Sequence, residues 1–576
     1  MPFPSSCCSA PSISLSCSRS PEAPDMTFRP LHASALAALL LAAPPPPCAW
    51  TEPLLLGGDE RILVLAPHPD DESLAAGGLI QEALALDVPV RVCFFTMGDN
   101  NEIAFLFTRK HPVRMPGAVR AMGTLRQNEG VAAATQLGLS TNDLVFLGYP
   151  DTGTLDIWNH HWRAVPPYRS TLTRATAVPY QRALTPGSAY AGEDILDDLA
   201  EVIQEFRPTH IVVSHPADHN VDHRALHLFT RVALWNLAAD GIAPEILAAP
   251  VHFTQWPEPR RYHPMRPAAP PHFLDEEIAW REMVLAPFQV SNKLAAIRRH
   301  HSQYLDAAAY LDSFIRKSEL FGDFPDLALP GGAGSVEIAE DDLSQFRPDE
   351  DLFQDLSRQS EPWAAIADQN TAETSALDDH DNDFTQRAIS GDGTHLTLSF
   401  RFSEPLSPSV ALTVSLFGYR ADVPFGDMPK IAIELTPRKI LAVRDLDDPQ
   451  PDDAVEQVPA GDDEIALRVP LALLGDPDKI LAGAKLSKGS LPVDWAAWRI
   501  LDLSGAPLPA APKSKKAAAP AAPGRDADPP ETEPTPPPPA KKAEPATPKP
   551  DALVPRVDLP RKPIPARTEA NEPVRW

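Results

Sequence analysis

Cysteine is scarce in this chain of 576 residues, and that scarcity limits how the fold can be stabilised. Four of the five cysteines lie within the first 48 residues, so only Cys93 remains in the body of the chain. A single cysteine cannot form an internal disulfide, which excludes a disulfide-stapled scaffold. Cys93 lies inside an apolar, strand-like run and is predicted to be a small core residue.

Basic residues are also few relative to acidic ones. The chain has 51 Lys and Arg against 78 Asp and Glu, which gives a formal net charge of -27. A protein this acidic repels phosphate backbones and anionic headgroups. The charge therefore argues against nucleic acid and anionic membranes as partners.

A long apolar segment is missing near the start of the chain. The apolar run from Ala33 to Ala43 is too short to span a bilayer; it follows Arg29 and precedes four prolines. A basic residue, a short apolar core and a small-residue exit are typical of a secretory signal peptide. Cleavage is predicted near Ala49, and the proline before Cys48 argues against a lipoprotein anchor.

These features predict a leader over residues 1–49, with the true start at Met26. The mature protein is then expected to be secreted or periplasmic and to have no transmembrane segment.

Proline is abundant, but it is concentrated at the two ends of the chain. Many of the 67 prolines lie in the leader and in residues 506–576, which are also rich in Ala, Lys and Glu. A segment with so few large apolar side chains buries little surface, so residues 506–576 are predicted to be a disordered tail.

Residues 55–330 alternate between strand-like and helix-like segments. This alternation predicts an α/β domain with a Rossmann-like, mostly parallel sheet covered by helices on both faces. The predicted strands are Ile62–Leu65, Val88–Phe95, Leu144–Leu147 and Ile211–Ser214, and the predicted helices are Ser73–Leu86, Ala118–Leu137, Asp194–Phe206, Asp222–Leu237 and Lys293–Lys317.

The pattern changes after Gly331. Residues 331–355 are acidic and are predicted to be a linker, whereas residues 356–505 alternate apolar and polar positions without a helix-length run. This pattern predicts an all-β sandwich domain. Mainly through residues 467–475, the domain weakly resembles carbohydrate-binding or DOMON-like sandwiches, and the alternative is a domain that is only a structural partner of the first. The clearest segments are Thr397–Phe402, Ala411–Phe417, Lys430–Leu435 and Glu464–Val469.

Two clusters of histidine and carboxylate residues each follow a predicted strand. Residues 66–72 read Ala-Pro-His-Pro-Asp-Asp-Glu, and residues 214–223 contain three histidines and two aspartates. The carboxyl ends of parallel strands meet at one edge of a sheet, so both clusters are expected at the same place. Imidazoles and carboxylates are ligands of zinc, and two histidines with one aspartate would leave a position open for water.

The two clusters resemble the motifs of a known family. His68-Pro69-Asp70-Asp71-Glu72 is similar to the signature of the LmbE/PIG-L amino-sugar deacetylases, and Asp222-His223-Arg224-Ala225 is similar to that family's second motif. The resemblance covers roughly residues 60–320 and implies a Rossmann-like fold, in agreement with the strand and helix pattern.

The resemblance also implies roles for individual residues. His68, Asp71 and His223 would be the ligands of Zn²⁺, and Asp70 would be the general base. Asp222 would support these groups or assist the acid.

Two further residues fall where the family places contacts to sugar hydroxyls. They are Arg126, in Leu125-Arg126-Gln127-Asn128-Glu129, and Asp151, in Gly148-Tyr149-Pro150-Asp151. A competing interpretation of Arg126 is a helix-surface arginine paired with Glu129.

The second motif departs from the family at the position of the general acid. Many members have a histidine where this chain has Asn220, and an amide cannot protonate a leaving amine. We assign the acid to His219, one residue earlier, with His215 as the weaker candidate.

The residues and the resemblance together imply a zinc-dependent hydrolase that removes the acetyl group from an N-acetylated amino sugar, free or in a polymeric glycan. Two alternatives are an amidase acting on another N-acyl or thiol conjugate, and a glycan-binding protein with reduced catalysis. Trp158 and Trp162 could line the sugar site or pin a loop, and His227 is predicted to be a packing residue.

Overall fold

The computed structural model describes residues 51–100, 115–253, 256–271, 278–322, 324–339, 384–451, 453–489 and 491–505. The predicted leader and the predicted disordered tail lie outside these residues, so both stay predictions. Among the described residues, no helix combines the length and the apolar character that a membrane crossing requires.

The described part of the N-terminal domain contains strands in two sheets. They are β1 (Thr51–Pro53), β2 (Ile62–Ala66), β3 (Val90–Thr96), β4 (Leu144–Tyr149), β5 (His210–Ser214), β6 (Glu245–Ala249), β7 (Trp280–Val284) and β8 (Ser318–Phe321). Five form a fully parallel sheet in the order β4-β3-β2-β5-β6, and β1, β7 and β8 form a small mixed sheet. The parallel order reverses between β2 and β5, which opens a crevice at their carboxyl ends.

Helices cover the parallel sheet, and this cover explains why its strands consist mostly of apolar residues. Every residue of β2 is buried, as expected for a strand covered on both faces. The second helix begins with Pro116 and ends before Gly138, whose φ of +108° favours glycine. The helices are α1 (Asp71–Ala85), α2 (Pro116–Leu137), α3 (Thr154–His160), α4 (Gly192–Phe206), α5 (Val221–Leu237), α6 (Pro287–Ile297) and α7 (His301–Asp312).

The prediction of one helix over Lys293–Lys317 is wrong. The chain leaves the helical conformation at His300, whose ψ is +61°, and a second helix starts only after it. The break turns the His300 ring into the core, where Nε2 lies 3.0 Å from Oε1 of Glu72. Local apolar periodicity continues across this break and therefore concealed it.

The C-terminal domain is a sandwich of two antiparallel sheets, apart from the short parallel pair of β20 and β9. The sheet orders are β10-β11-β12-β18-β17 and β16-β15-β14-β13-β19-β20-β9, and buried side chains from both sheets form one core. The strands are β9 (Leu327–Ala328), β10 (Ala333–Ala339), β11 (Phe384–Asp392), β12 (His395–Phe402), β13 (Val410–Tyr419), β14 (Lys430–Thr436), β15 (Lys439–Asp445), β16 (Asp448–Pro449), β17 (Glu456–Val458), β18 (Glu464–Pro470), β19 (Lys479–Lys488) and β20 (Leu491–Asp502). The predicted fold class, a parallel α/β domain followed by a β-sandwich, is confirmed.

The boundary between the domains differs from the prediction. Residues 333–339, placed in the acidic linker, form β10 and pair with β11. In this strand Ile338 is buried while Glu337 is exposed, so the acidic residue lies on the solvent face of a strand. The rest of the predicted linker lies outside the described residues.

An aromatic contact joins the two domains. Trp158 is fully buried; its ring stacks on Phe417 of β13 at 5.6 Å between centroids and meets Trp498 of β20 edge-on at 6.0 Å. Trp162 is equally buried and lies 4.8 Å from the ring of Phe425. Both tryptophans therefore pack the domain contact and do not line an open sugar site.

This contact predicts a large effect of Trp158→Ala on stability. Removing a fully buried tryptophan leaves a cavity between the domains, which should lower the free energy of unfolding by about 3–5 kcal/mol. Urea unfolding followed by circular dichroism measures the change. Leu441→Ala, at a position that is 45% exposed, is the control and should shift stability by at most about 0.5 kcal/mol. Equal effects of the two substitutions would contradict the packing role of Trp158.

Candidate metal centre

Two loops meet at the point where the order of the parallel strands reverses. The turn after β2 carries His68 and leads into α1 at Asp71, and the loop after β5 leads into α5, whose first turn carries His223. The sheet thus brings both predicted motifs to one crevice.

His68, Asp71 and His223 converge there. Oδ2 of Asp71 lies 3.2 Å from Nδ1 of His68 and 3.2 Å from Nε2 of His223, and the two ring nitrogens are 3.3 Å apart. One ligand atom from each residue falls within 4.8 Å of the others, and all three residues are buried. Two imidazole nitrogens and a carboxylate oxygen are a donor set suited to zinc, so these side chains could hold a metal ion.

A carboxylate fixes the orientation of His68. Nε2 of His68, the nitrogen turned away from His223, lies 3.2 Å from Oδ2 of Asp222. Asp222 is itself held by the backbone amide of Thr152, which donates at 2.6 Å, and by the amide of Thr154 at 3.3 Å. A carboxylate on the second nitrogen of a ligand histidine fixes its tautomer and makes it a better ligand.

His223 is held in the same way by a residue that the sequence reasoning did not single out. Its Nδ1 lies 3.1 Å from Oδ2 of Asp218 and 2.9 Å from Oγ of Ser214. Asp218 also accepts hydrogen bonds from the backbone amides of Asn220 at 2.8 Å and His252 at 2.9 Å. The available signal was its place in the cluster of residues 214–223, five residues before His223.

Asp70, the predicted base, lies beside the three converging residues and not among them. Its carboxylate accepts a bond from Nη2 of Arg126 at 3.1 Å. Burial raises the pKa of Asp70 to about 6, the charge of Asp71 adds to the rise, and Arg126 opposes it. The backbone φ of Asp70 is +151°, a strained value for a residue with a side chain, and such strain is often found at functional sites.

Arg126 is buried rather than lying on the helix surface. Its guanidinium donates to the carbonyls of Gly98 at 2.8 Å and Pro69 at 3.0 Å as well as to Asp70. Gly98 has a φ of +61°, and an added Cβ there would lie 2.2 Å from Nη1 of Arg126. The alternative pairing with Glu129 is wrong, because Glu129 accepts from Ser302.

Asp151, the second predicted sugar contact, lies at the edge of the cluster. Its Oδ1 is 3.6 Å from Nε2 of His68, and Oδ2 accepts from the backbone amide of Asn100 at 2.8 Å. His68, Asp151 and Asp222 form a second group that could hold a metal ion. The sugar-contact roles of Arg126 and Asp151 stay predictions.

The three residues considered for the general acid lie in different settings. Asn220 caps α5, since its side-chain oxygen accepts from the amide of Asp222 at 2.9 Å. The ring of His219 lies against Phe253 and Trp495, at 5.8 and 6.1 Å between centroids. His215 is fully buried, and burial lowers its pKa to about 3. The assignment of the acid to His219 stays a prediction.

Two further histidines lie next to the cluster. Sequence reasoning missed His252, whereas it placed His300 in a segment that either resembles a late helix of the family or forms a polar helix face. His252, in the loop after β6, lies 4.7 Å from the ring of His223. His300 bonds to Glu72, and Glu72 in turn accepts from the backbone amide of Asp70 at 3.0 Å. Both histidines come from distant parts of the chain, and no local pattern pointed to His252.

The fold and the site together define an α/β protein. Between β2 and β5, where the strand order of its parallel sheet reverses, buried side chains could hold a metal ion. The sequence model of the PIG-L family, described as GlcNAc-PI de-N-acetylase, matches residues 63–234. These residues form a PIG-L (LmbE) family domain, which confirms the resemblance of the two motifs.

The similar proteins include deacetylases. A 1D-myo-inositol 2-acetamido-2-deoxy-alpha-D-glucopyranoside deacetylase of Gordonia bronchialis is 26% identical over 184 residues, 31% of this chain and 58% of the relative. Deacetylase 1 of the same description from Saccharopolyspora erythraea is 29% identical over 207 residues, 34% of this chain and 58% of the relative. The chain thus spans little more than half of either relative.

Among solved structures, the chain is similar to the N,N'-diacetylchitobiose deacetylase of Pyrococcus horikoshii. The match has 17% identity and a TM-score of 0.28, and it covers 46% of this chain and 82% of that one.

The cluster predicts which residues hold the metal. His68→Ala and His223→Ala should lose bound zinc, because each removes one of three converging donors. Asp151→Asn should retain zinc, because Asp151 belongs only to the second group. Metal analysis of dialysed protein measures occupancy, with His395→Ala in the β-sandwich as the control. Loss of zinc from the Asp151 variant and retention in the His223 variant would favour the second group instead.

The Asp218 contact predicts a weaker metal site in Asp218→Asn. The amide keeps the shape of the side chain but removes the charge that orients His223. Zinc affinity should therefore fall by about 10- to 100-fold. Competition with a chelator of known affinity measures the change, and Asp392→Asn on the exposed sandwich surface should leave affinity unaltered. An unchanged affinity in the Asp218 variant would show that Ser214 alone orients the ring.

Proposed function

We propose that the protein is a zinc-dependent deacetylase that hydrolyses the N-acetyl amide of an amino sugar of the N-acetylglucosamine type. The observation that carries the proposal is the convergence of His68, Asp71 and His223 with a separate carboxylate, Asp70, beside them inside a PIG-L family domain. Three ligands and an adjacent base are the parts that metal-assisted amide hydrolysis needs.

The names of the similar proteins support the substrate class. The family model and both curated relatives are described as enzymes that remove the acetyl group from an N-acetylated glucosamine unit attached to inositol. The shared element is the acetamido sugar, so we assign that unit to this chain.

The chemistry follows from where the side chains lie. When bound by His68, Asp71 and His223, zinc would supply a Lewis acid and lower the pKa of a water molecule. Asp70 takes the proton from the attacking water, and Arg126 holds the Asp70 carboxylate in place. As the C–N bond of the amide breaks, the leaving amine takes a proton, for which His219 is the predicted donor, and acetate is released. Asp222 and Asp218 keep the two imidazoles oriented throughout.

The leader predicted over residues 1–49 adds an expectation about the setting. A secreted or periplasmic enzyme would meet glycans or glycoconjugates outside the cytoplasm, so we propose a substrate of that kind. A second candidate, a glycan-binding protein with reduced catalysis, is favoured only by Asn220 at the acid position.

The base assignment is tested by Asp70→Asn. The amide cannot accept a proton, so acetate release from N-acetylated sugars should fall by about 10²- to 10⁴-fold while zinc stays bound. A coupled acetate assay on a panel of N-acetylated mono- and oligosaccharides, with metal analysis in parallel, measures both properties.

Asp71→Asn serves as the matched control at the neighbouring position. A neutral oxygen is a poorer zinc ligand than a carboxylate, so this variant should lose zinc and partly regain activity when zinc is added. Added zinc should not restore the Asp70 variant. Near-normal turnover by Asp70→Asn with metal bound would overturn the base assignment, and no acetate release by the wild type would favour the glycan-binding alternative.

A further inference from the structure

The segment of residues 215–224, which comprises the loop after β5 and the first turn of α5, rests on the β-sandwich. Trp495 of β20 meets the ring of His219 edge-on at 6.1 Å between centroids, and the guanidinium carbon of Arg224 lies 4.0 Å above the Trp495 ring. His219 lies in the loop before the ligand His223, and Arg224 follows His223 directly in the first turn of α5. One side chain from the second domain therefore contacts both flanks of the proposed ligand.

A second contact from the same strand reaches the start of the loop. Arg499 lies 4.1 Å above the ring of Phe324, and that ring meets His215 at 4.9 Å. The loop is thus supported by β20 directly at its end and through Phe324 at its beginning.

The loop's own hydrogen bonds connect this support to the metal ligand. The backbone amide of His219 donates to the carbonyl of His252 at 2.9 Å, and the amide of His252 donates to Asp218 at 2.9 Å. Asp218 in turn lies 3.1 Å from Nδ1 of His223. A displacement of His219 is therefore passed on to the carboxylate that orients His223.

The contact between Arg224 and the Trp495 ring is partly shielded from water, because both residues are half-buried. A guanidinium over an indole face is attracted by the ring electrons, and the attraction is larger when water is excluded. Loss of the indole would leave Arg224 without the surface on which it rests.

We propose that the β-sandwich is part of the catalytic unit, with Trp495 as a positioning residue that holds residues 215–224 and so the Asp218–His223 pair. For its effect on turnover this inference rests on the proposed deacetylase function; for its effect on metal binding it does not. It also means that Trp495 and Trp498 face the catalytic domain and are not free to stack on a glycan.

The test compares two aromatic residues of the sandwich that contact opposite ends of α5. Trp495 contacts the loop at its start, whereas Tyr419 lies 4.8 Å from Trp235 near its end. Trp495→Ala and Tyr419→Ala both remove a ring from the domain contact, but only Trp495 contacts residues that flank the proposed ligand His223. Trp495→Phe keeps an aromatic face under Arg224 and serves as the conservative variant.

Zinc affinity by chelator competition, thermal stability and acetate release are measured for the three variants and the wild type. We expect Trp495→Ala to lower zinc affinity by at least about 10-fold and kcat by a similar factor. Trp495→Phe should restore most of both, and Tyr419→Ala should retain wild-type zinc affinity even where its stability falls as far.

Two results would overturn the inference. One is wild-type zinc affinity in Trp495→Ala; the other is an equal loss of affinity in Trp495→Ala and Tyr419→Ala, which would indicate general loosening of the fold. The expected pattern of zinc affinities without any acetate release by the wild type would support the positioning role and overturn the proposed function alone.

Discussion

Buried carboxylates that share two imidazoles are the interaction on which the site depends. His68 lies between Asp222 and Asp71, and His223 lies between Asp71 and Asp218. The result is an alternating chain of acid and imidazole with Asp71 at its centre. Burying several carboxylates together is costly unless each is bonded and a positive charge is near. Each carboxylate and each imidazole in this chain is therefore held in place by its neighbours. A cation bound between His68, Asp71 and His223 would offset the negative charge of the three carboxylates.

Three parts of the surrounding fold supply and hold these carboxylates and imidazoles. The turn after β2 supplies one imidazole and the central carboxylate, and the amides of residues 152 and 154 hold the outer carboxylate, Asp222. The loop after β5 supplies the carboxylate of Asp218, and the first turn of α5 supplies the other imidazole, His223. Asp70 is forced into a strained conformation between them, and the first turn of α1 holds it there, since the amides of Ser73 and Leu74 both donate to its carbonyl. Strain of this kind persists only where neighbouring bonds determine the backbone.

Much of the fold and of the metal site could be predicted from the sequence, because the residues that determine them lie close together in short segments of the chain. Apolar runs and helix periodicity gave the parallel sheet, and His68, Asp71 and His223 each belong to a motif at a strand end. The remaining features depend on contacts between distant segments. His300 reaches Glu72 across 228 residues, and Trp495 reaches Arg224 from another domain. No local pattern encodes such pairs, and the same reason explains the helix prediction that ran across His300.

Because indole rings are concentrated at the domain contact, the intrinsic tryptophan fluorescence of the protein reports on that contact. Five of its ten tryptophans, at positions 158, 162, 235, 495 and 498, make ring contacts there, most of them with side chains of the other domain. Indole emission shifts to longer wavelength when water reaches the ring. Parting of the two domains would therefore change the intrinsic fluorescence of half the tryptophans at once. Melting confined to the sheet of β10, β11, β12, β18 and β17, which contains none of these five tryptophans, would leave most of that signal in place. The spectrum of the unlabelled protein thus distinguishes separation of the domains from unfolding within that sheet.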